Sequence, residues 1–126
     1  MKPIILSLLL CFSLFSFSQN YDIYVSDAGN FNNPPWQILK FDQDGKNPVV
    51  FIDDQLNWPQ DILFMEDSNT VLISNFGTGR ITKHNATTGA YISDFAKGLR
   101  SPTRMKIGPD SLLYVLQWSG DARVKR

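Results

Sequence analysis

Trp58-Pro59-Gln60-Asp61-Ile62-Leu63-Phe64 is followed 43 residues later by Ser101-Pro102-Thr103-Arg104-Met105-Lys106-Ile107, with the two prolines in register. A second anchor keeps the same period. Gln37-Ile38-Leu39-Lys40 lines up with Arg80-Ile81-Thr82-Lys83 and again with Arg123-Val124-Lys125-Arg126, each step being 43 residues. Between these anchors, Asp22-Ile23-Tyr24-Val25-Ser26-Asp27 matches Thr70-Val71-Leu72-Ile73-Ser74-Asn75, and Ser111-Leu112-Leu113-Tyr114-Val115-Leu116-Gln117 is the third copy. Two independent anchors on one period mark an internal repeat.

Each unit reads as four short strands. The first follows the proline (61–65, then 103–107). The second is the β-branched and aromatic run ending in Asp27, Asn75 or Gln117. The third carries Ile38, Ile81 or Val124 and leads to a turn, Asp42-Gln43-Asp44-Gly45 in one copy and Asn85-Ala86-Thr87-Thr88-Gly89 in the next. The fourth covers 48–52 and 90–95. Strand propensity, short length and Gly/Asp/Asn punctuation agree, and no segment after residue 18 has a helical period. A repeated four-stranded unit of about 40 residues is the signature of a β-propeller blade. The expectation is therefore an all-β chain of antiparallel blades: blade 1 over about 21–57, blade 2 over about 58–99 and an incomplete blade 3 over about 100–126. That makes about two and a half blades, where closure of a ring needs roughly four or more. The simplest reading is the N-terminal part of a longer propeller. The rival fold is a sandwich with accidental repetition.

Residues 1–18 stand apart. Lys2 supplies a short positive segment, Ile4 to Phe17 is an almost unbroken apolar run, and Ser16-Phe17-Ser18 offers small residues to a signal peptidase. The run is shorter than the roughly 20 residues a membrane-spanning helix needs, so a cleaved signal-peptide helix is expected, with no stable membrane span afterwards. A secreted, periplasmic or cell-surface location follows. Cys11 raises a lipoprotein signal as the alternative, but Leu10 precedes it where a small residue is wanted. Cleavage after Ser18 would leave no cysteine, so no internal disulfide could form and stability would rest on packing.

Charge is balanced, with 12 Lys+Arg against 12 Asp+Glu, which argues against a dedicated nucleic-acid binder. One His and one Cys exclude a zinc site or a nucleophilic triad assembled from this chain alone.

The proline, the short strand, the acidic turn, Asp22-Ile23-Tyr24-Val25-Ser26-Asp27, Arg80-Ile81-Thr82-Lys83 and the glycine turn together resemble NHL-type repeats. More loosely, the chain is similar to other six-bladed, TolB-like propellers, among them the regucalcin/gluconolactonase and streptogramin-lyase types. The resemblance covers 21–126. It implies a propeller fold and leaves function open, because such propellers act as enzymes, sensors and scaffolds. It also implies that rings of this kind close by lending a blade's missing strand from the other terminus. The gluconolactonase-like proteins place a metal-binding Asn where Gln60-Asp61 and Thr103-Arg104 stand here, and an Asp where Asn75 stands. That departure weighs against lactonase activity.

Candidate binding residues are few. The first unit inserts Ala28 to Trp36 where the second has only Phe76-Gly77-Thr78-Gly79. Asn32, Asn33 and Trp36 offer amide hydrogen bonds and an aromatic platform to a sugar-like ligand. The plainer reading is a rigid turn set by Pro34-Pro35, with Trp36 packed between blades. Asp27, Asn75 and Gln117 share one repeat position, where oxygen ligands could converge on calcium. Alternatively they hydrogen-bond the adjoining turn. Asp61 and Arg104 also share a position, as channel-lining ligand contacts or as an ion pair between blades. His84 is expected to be solvated beside its turn. Asn85-Ala86-Thr87 is formally a glycosylation sequon.

The expected function is an exported ligand- or protein-binding scaffold module without catalytic residues or a resident cofactor. Its partner would be a small molecule or a protein. The alternative is a hydrolase or lyase of the gluconolactonase or streptogramin-lyase kind, with its catalytic residues in blades beyond this sequence.

Overall fold

The computed structural model describes residues 21–126, so the expected signal peptide at 1–18 lies outside the described residues. Ten strands run in chain order: β1 Ile23–Asp27, β2 Gln37–Phe41, β3 Val49–Ile52, β4 Pro59–Met65, β5 Thr70–Asn75, β6 Arg80–Asn85, β7 Tyr91–Ala96, β8 Pro102–Ile107, β9 Leu113–Gln117 and β10 Val124–Lys125. They form three antiparallel sheets with neighbours in simple succession, β1-β2-β3, β4-β5-β6-β7 and β8-β9-β10. This is an all-β partial propeller. A 3₁₀ turn, Glu66–Ser68, links β4 to β5.

The repeat visible in sequence is also a repeat of backbone conformation. Trp58 and Ser101, each preceding the anchor proline, have φ of 51° and 52°. Pro59 and Pro102 are both buried, and the pairing register slips just after each of them. Proline lacks the N–H a regular ladder would use, so a slip at the strand's first residue leaves no donor missing. Left-handed positions also recur at Gln55 and Gly98, and at Gly79 and Ala122.

Strand alternation builds two cores from the middle sheet. Val71 and Ile73 of β5 face the first sheet and are fully buried with Ile38 and Ile52. Leu72, between them in sequence, points the other way and joins Ile81, Met105 and Val115 against the third sheet. Period-two side-chain placement thus makes one strand serve both interfaces. Each fully buried Ile or Leu stabilises by about 1.5–3 kcal/mol. Tyr24 bridges the first interface, its ring 5.1 Å from Phe51 and 4.8 Å from Phe64.

Polar latches cross both interfaces. Ser26 Oγ donates to the Pro59 carbonyl at 2.8 Å, and Ser74 Oγ donates to that of Thr103 at 2.8 Å. Asp61 Oδ2 accepts the Met105 N–H at 2.6 Å. This last contact corrects the expected ion pair: Asp61 grips the backbone of the next sheet, while Arg104 lies exposed on β8. A backbone N–H is fixed in direction by the strand, whereas an arginine at a sheet surface gains more from water.

His84 is the second correction. It is fully buried rather than solvated. Its Nδ1 faces the Gly89 carbonyl at 3.1 Å and its Nε2 faces Thr82 Oγ1 at 3.0 Å. A carbonyl only accepts, so Nδ1 carries the proton and Nε2 accepts from the Thr82 hydroxyl. Thr82 in turn accepts from Asn75 Nδ2 at 3.0 Å, and Asn75 Oδ1 accepts the Asn57 N–H at 2.8 Å. A directed chain of hydrogen bonds therefore crosses the second blade from one end to the other.

Candidate functional site

In a succession of antiparallel strands, the loop between the second and third strands of a unit lies at the same end as the connection to the next unit. Hydrogen bonds tie the two together here. Phe76 N donates to Trp58 O at 3.1 Å and Gly77 N to Asn57 O at 3.3 Å. In the next unit, Trp118 N donates to Ser101 O at 2.9 Å. The opposite end carries the turns at 42–47, 66–69, 85–89 and 108–111, joined in the second blade by Ala86 N donating to Asn69 O at 3.0 Å.

The first end gathers aromatic side chains. Phe31 lies 5.1 Å from Trp58, centroid to centroid, and Trp58 lies 4.4 Å from Phe76, both pairs tilted. Tilted ring pairs at these distances add about 0.5–1.5 kcal/mol each beyond area burial. The run spans the long loop of the first unit and both loops of the second. Its outer member, Phe31, is 57% exposed and held at φ 70°, an unusual conformation for a bulky residue. Trp118, from the corresponding loop of the third unit, is 72% exposed. That Phe31, Trp58 and Phe76 fall in loops at one end shows only once the strands are paired.

The long loop folds on itself. Asp27 Oδ1 accepts the Gly29 N–H at 2.9 Å, and Asn30 Oδ1 accepts that of Asn33 at 3.0 Å. Gly29 sits at φ 54°, where an added Cβ would lie 2.8 Å from the Pro35 carbonyl oxygen, so the turn requires glycine. Asn32 and Asn33 are exposed beside Phe31, and the Pro34–Pro35 peptide is cis. Trp36 is half-buried, and its indole Nε1 is buried with no acceptor among the described residues.

The three residues sharing the strand-end position act on separate pieces of backbone. Asp27 caps its own loop, Asn75 holds Asn57, and Gln117 Oε1 accepts the Arg100 N–H at 2.7 Å. Asn57 and Arg100 are themselves one repeat apart. Among the described residues no group of three or more His, Cys, Asp or Glu is placed to hold a metal. Asp61 and Asn75 are engaged in the scaffold, whereas Asn32, Asn33 and Arg104 face solvent.

Charge, balanced over the whole chain, is segregated along it. Seven of the 12 Lys and Arg residues lie from Lys97 onward, against two of the 12 acidic residues. A total of zero concealed this, although a running count along the sequence exposes it.

No family model matches the sequence, and no curated protein matches it. Among solved structures, a chain in the crystal structure of a nidogen/laminin complex is similar, with a TM-score of 0.62 and 23% identity over 77% of this chain. The match covers 35% of that chain, so this protein spans about a third of its length. At that identity the likeness is one of fold, and it agrees with the β-propeller architecture that the sheets display.

Proposed function

We propose that this is an exported, NHL-type propeller module that binds another protein through the loop end bearing Phe31, Trp58, Phe76 and Trp118. The observation that carries the reading is the aromatic run Phe31–Trp58–Phe76, its outer ring Phe31 57% exposed, with Trp118 72% exposed in the corresponding loop of the third unit. Exposed aromatics held by a rigid scaffold are what protein interfaces use as anchors, because they bury large area with little side-chain entropy to lose. Loops at one end of a sheet scaffold are the usual place for such contacts. The similar solved chain comes from a structure of two proteins in complex, which accords with this use of the fold. Export rests on the apolar run at 4–17, and no helix among the described residues is long and apolar enough to cross a membrane.

A photo-crosslinking amino acid placed at 31 or 118 tests the reading, with 44 and 67 at the opposite end as controls. The expected result is one discrete protein adduct from 31 and 118 in the native exported fraction, absent from the controls and lost in Trp58→Ala. Equal adducts from both ends, or none from 31 and 118, would reject it. The same platform with Asn32 and Asn33 beside Phe31 also suits a sugar-like ligand. In that case a neutral oligosaccharide would change tryptophan fluorescence and no protein adduct would form.

A further inference from the structure

At the loop end of the third unit, a cavity of about 180 Å³ is lined by Arg100, Gln117, Asp121, Arg123 and Lys125, with Gly98 and Ser119 completing the wall. We infer that this is a binding site for a tetrahedral oxyanion, a sulfate or phosphate group carried by a ligand. Three cationic side chains meet one carboxylate, and that carboxylate is already engaged, with Arg123 Nε 2.9 Å from Asp121 Oδ2. The neighbouring cations are paired elsewhere: Lys97 with Asp94 at 3.0 Å and Arg126 with Asp110 at 3.6 Å. Arg100 and Lys125 have no carboxylate within ion-pair distance among the described residues.

The Arg100 side chain runs along the adjoining loop. An added Cβ at Gly120 would lie 2.6 Å from Arg100 Cδ and 2.8 Å from one terminal guanidinium nitrogen, so the side chain lies against the bare glycine backbone. The backbone beneath it is anchored by Gln117, which is 4% exposed and accepts the Arg100 N–H. One repeat earlier the same arrangement is present with different chemistry: Asn57 occupies the Arg100 position, and its side chain lies against Gly77. The third unit thus keeps the geometry and places a guanidinium, lying against Gly120, where the second has a neutral amide. The cations approach from three places, the inter-unit connection, the loop and β10, rather than in one plane. A tetrahedral dianion satisfies donors arranged in that way, and the lining's excess of two positive charges matches its charge.

The site lies apart from Phe31, Trp58 and Phe76, although Trp118 shares its loop, and its test is separate. The full chain is titrated with sodium sulfate at ionic strength held constant with chloride, and backbone amide shifts are followed by NMR. Saturable shifts confined to Gly98, Ser119 and Gly120 are expected. The double variant Arg100→Ala/Lys125→Ala should weaken binding by about tenfold or more. Arg104→Ala/Lys106→Ala removes the same charge from β8 and should leave binding within about twofold, as should Phe31→Ala. Equal weakening by both double variants would show diffuse electrostatic attraction and overturn the site, as would shifts reproduced by chloride alone. Glycerol phosphate and a sulfated disaccharide, run in parallel, separate the two sources of the oxyanion by their relative affinities. Failure of both alongside sulfate would also overturn the proposal. Failure of the crosslinking experiment, by contrast, would leave this one untouched.

Discussion

His84 shows how one side chain can couple distant parts of a blade. Burial pushes its pKa below the usual 6.5, opposed by its bond to the Gly89 carbonyl and by the field of Asp54. The folded state therefore disfavours imidazolium, and the unfolded chain binds the extra proton more readily. Stability is then full above pH 6.5 and is lost as pH falls below 6.5 toward the depressed folded value. Urea unfolding at stepped pH should show this loss, and His84→Gln should flatten it in that window. Asp94 and Asp42 give a separate loss at lower pH. Lys97 and Arg80 lower the Asp94 pKa, and the backbone N–H of Lys46 lowers that of Asp42, both from 3.8. Their contributions are present above 3.8 and disappear as pH falls through the lowered values. The sequence placed His84 correctly next to its turn. Its orientation was not legible, because a third-strand residue faces solvent or a neighbouring sheet according to register alone.

At the scale of elements, the turns between third and fourth strands look alike in sequence and differ in surroundings. Gly45 and Gly89 both adopt left-handed backbone, φ 70° and 74°. An added Cβ at Gly45 meets nothing within 4 Å, whereas at Gly89 it would overlap the Phe51 carbonyl of the preceding sheet. Gly45→Ala should therefore cost only the conformational strain, about 1–2 kcal/mol. Gly89→Ala should cost clearly more, since β3 must move or the turn must open. Chemical denaturation of both variants measures the difference, and equal costs would show that the turn can shift away from β3 freely. Strand existence and type were legible throughout, because β-branched runs and glycine turns carry that information locally. Boundaries moved by one or two residues: β4 and β8 begin at the prolines themselves, and β9 starts at Leu113 rather than Ser111. Cross-strand pairing decides those ends, and pairing is not a local property.

For the molecule as a whole, the middle sheet is the structural keystone, burying Val71 and Ile73 on one side and Leu72 and Ile81 on the other. Neither outer sheet has another core among the described residues. Ile73→Ala should cost about 2–5 kcal/mol. It should also lower amide protection of Ile38 in the first sheet and Val115 in the third together, as measured by native-state hydrogen exchange. Loss at Ile38 alone would show that the blades open independently. The sequence by itself determined the repeat, the strand order and the antiparallel blade, because a 43-residue period, alternating apolar positions and turn residues are local properties of the chain. Only the tertiary structure decided which side chains share an end and which are consumed by the scaffold. Bringing Phe31, Trp58 and Phe76 together, drawing Arg100 over Gly120 and turning Asp61 onto Met105 all depend on how one sheet packs against the next. That packing arises between residues tens of positions apart, so no reading along the chain alone contains it.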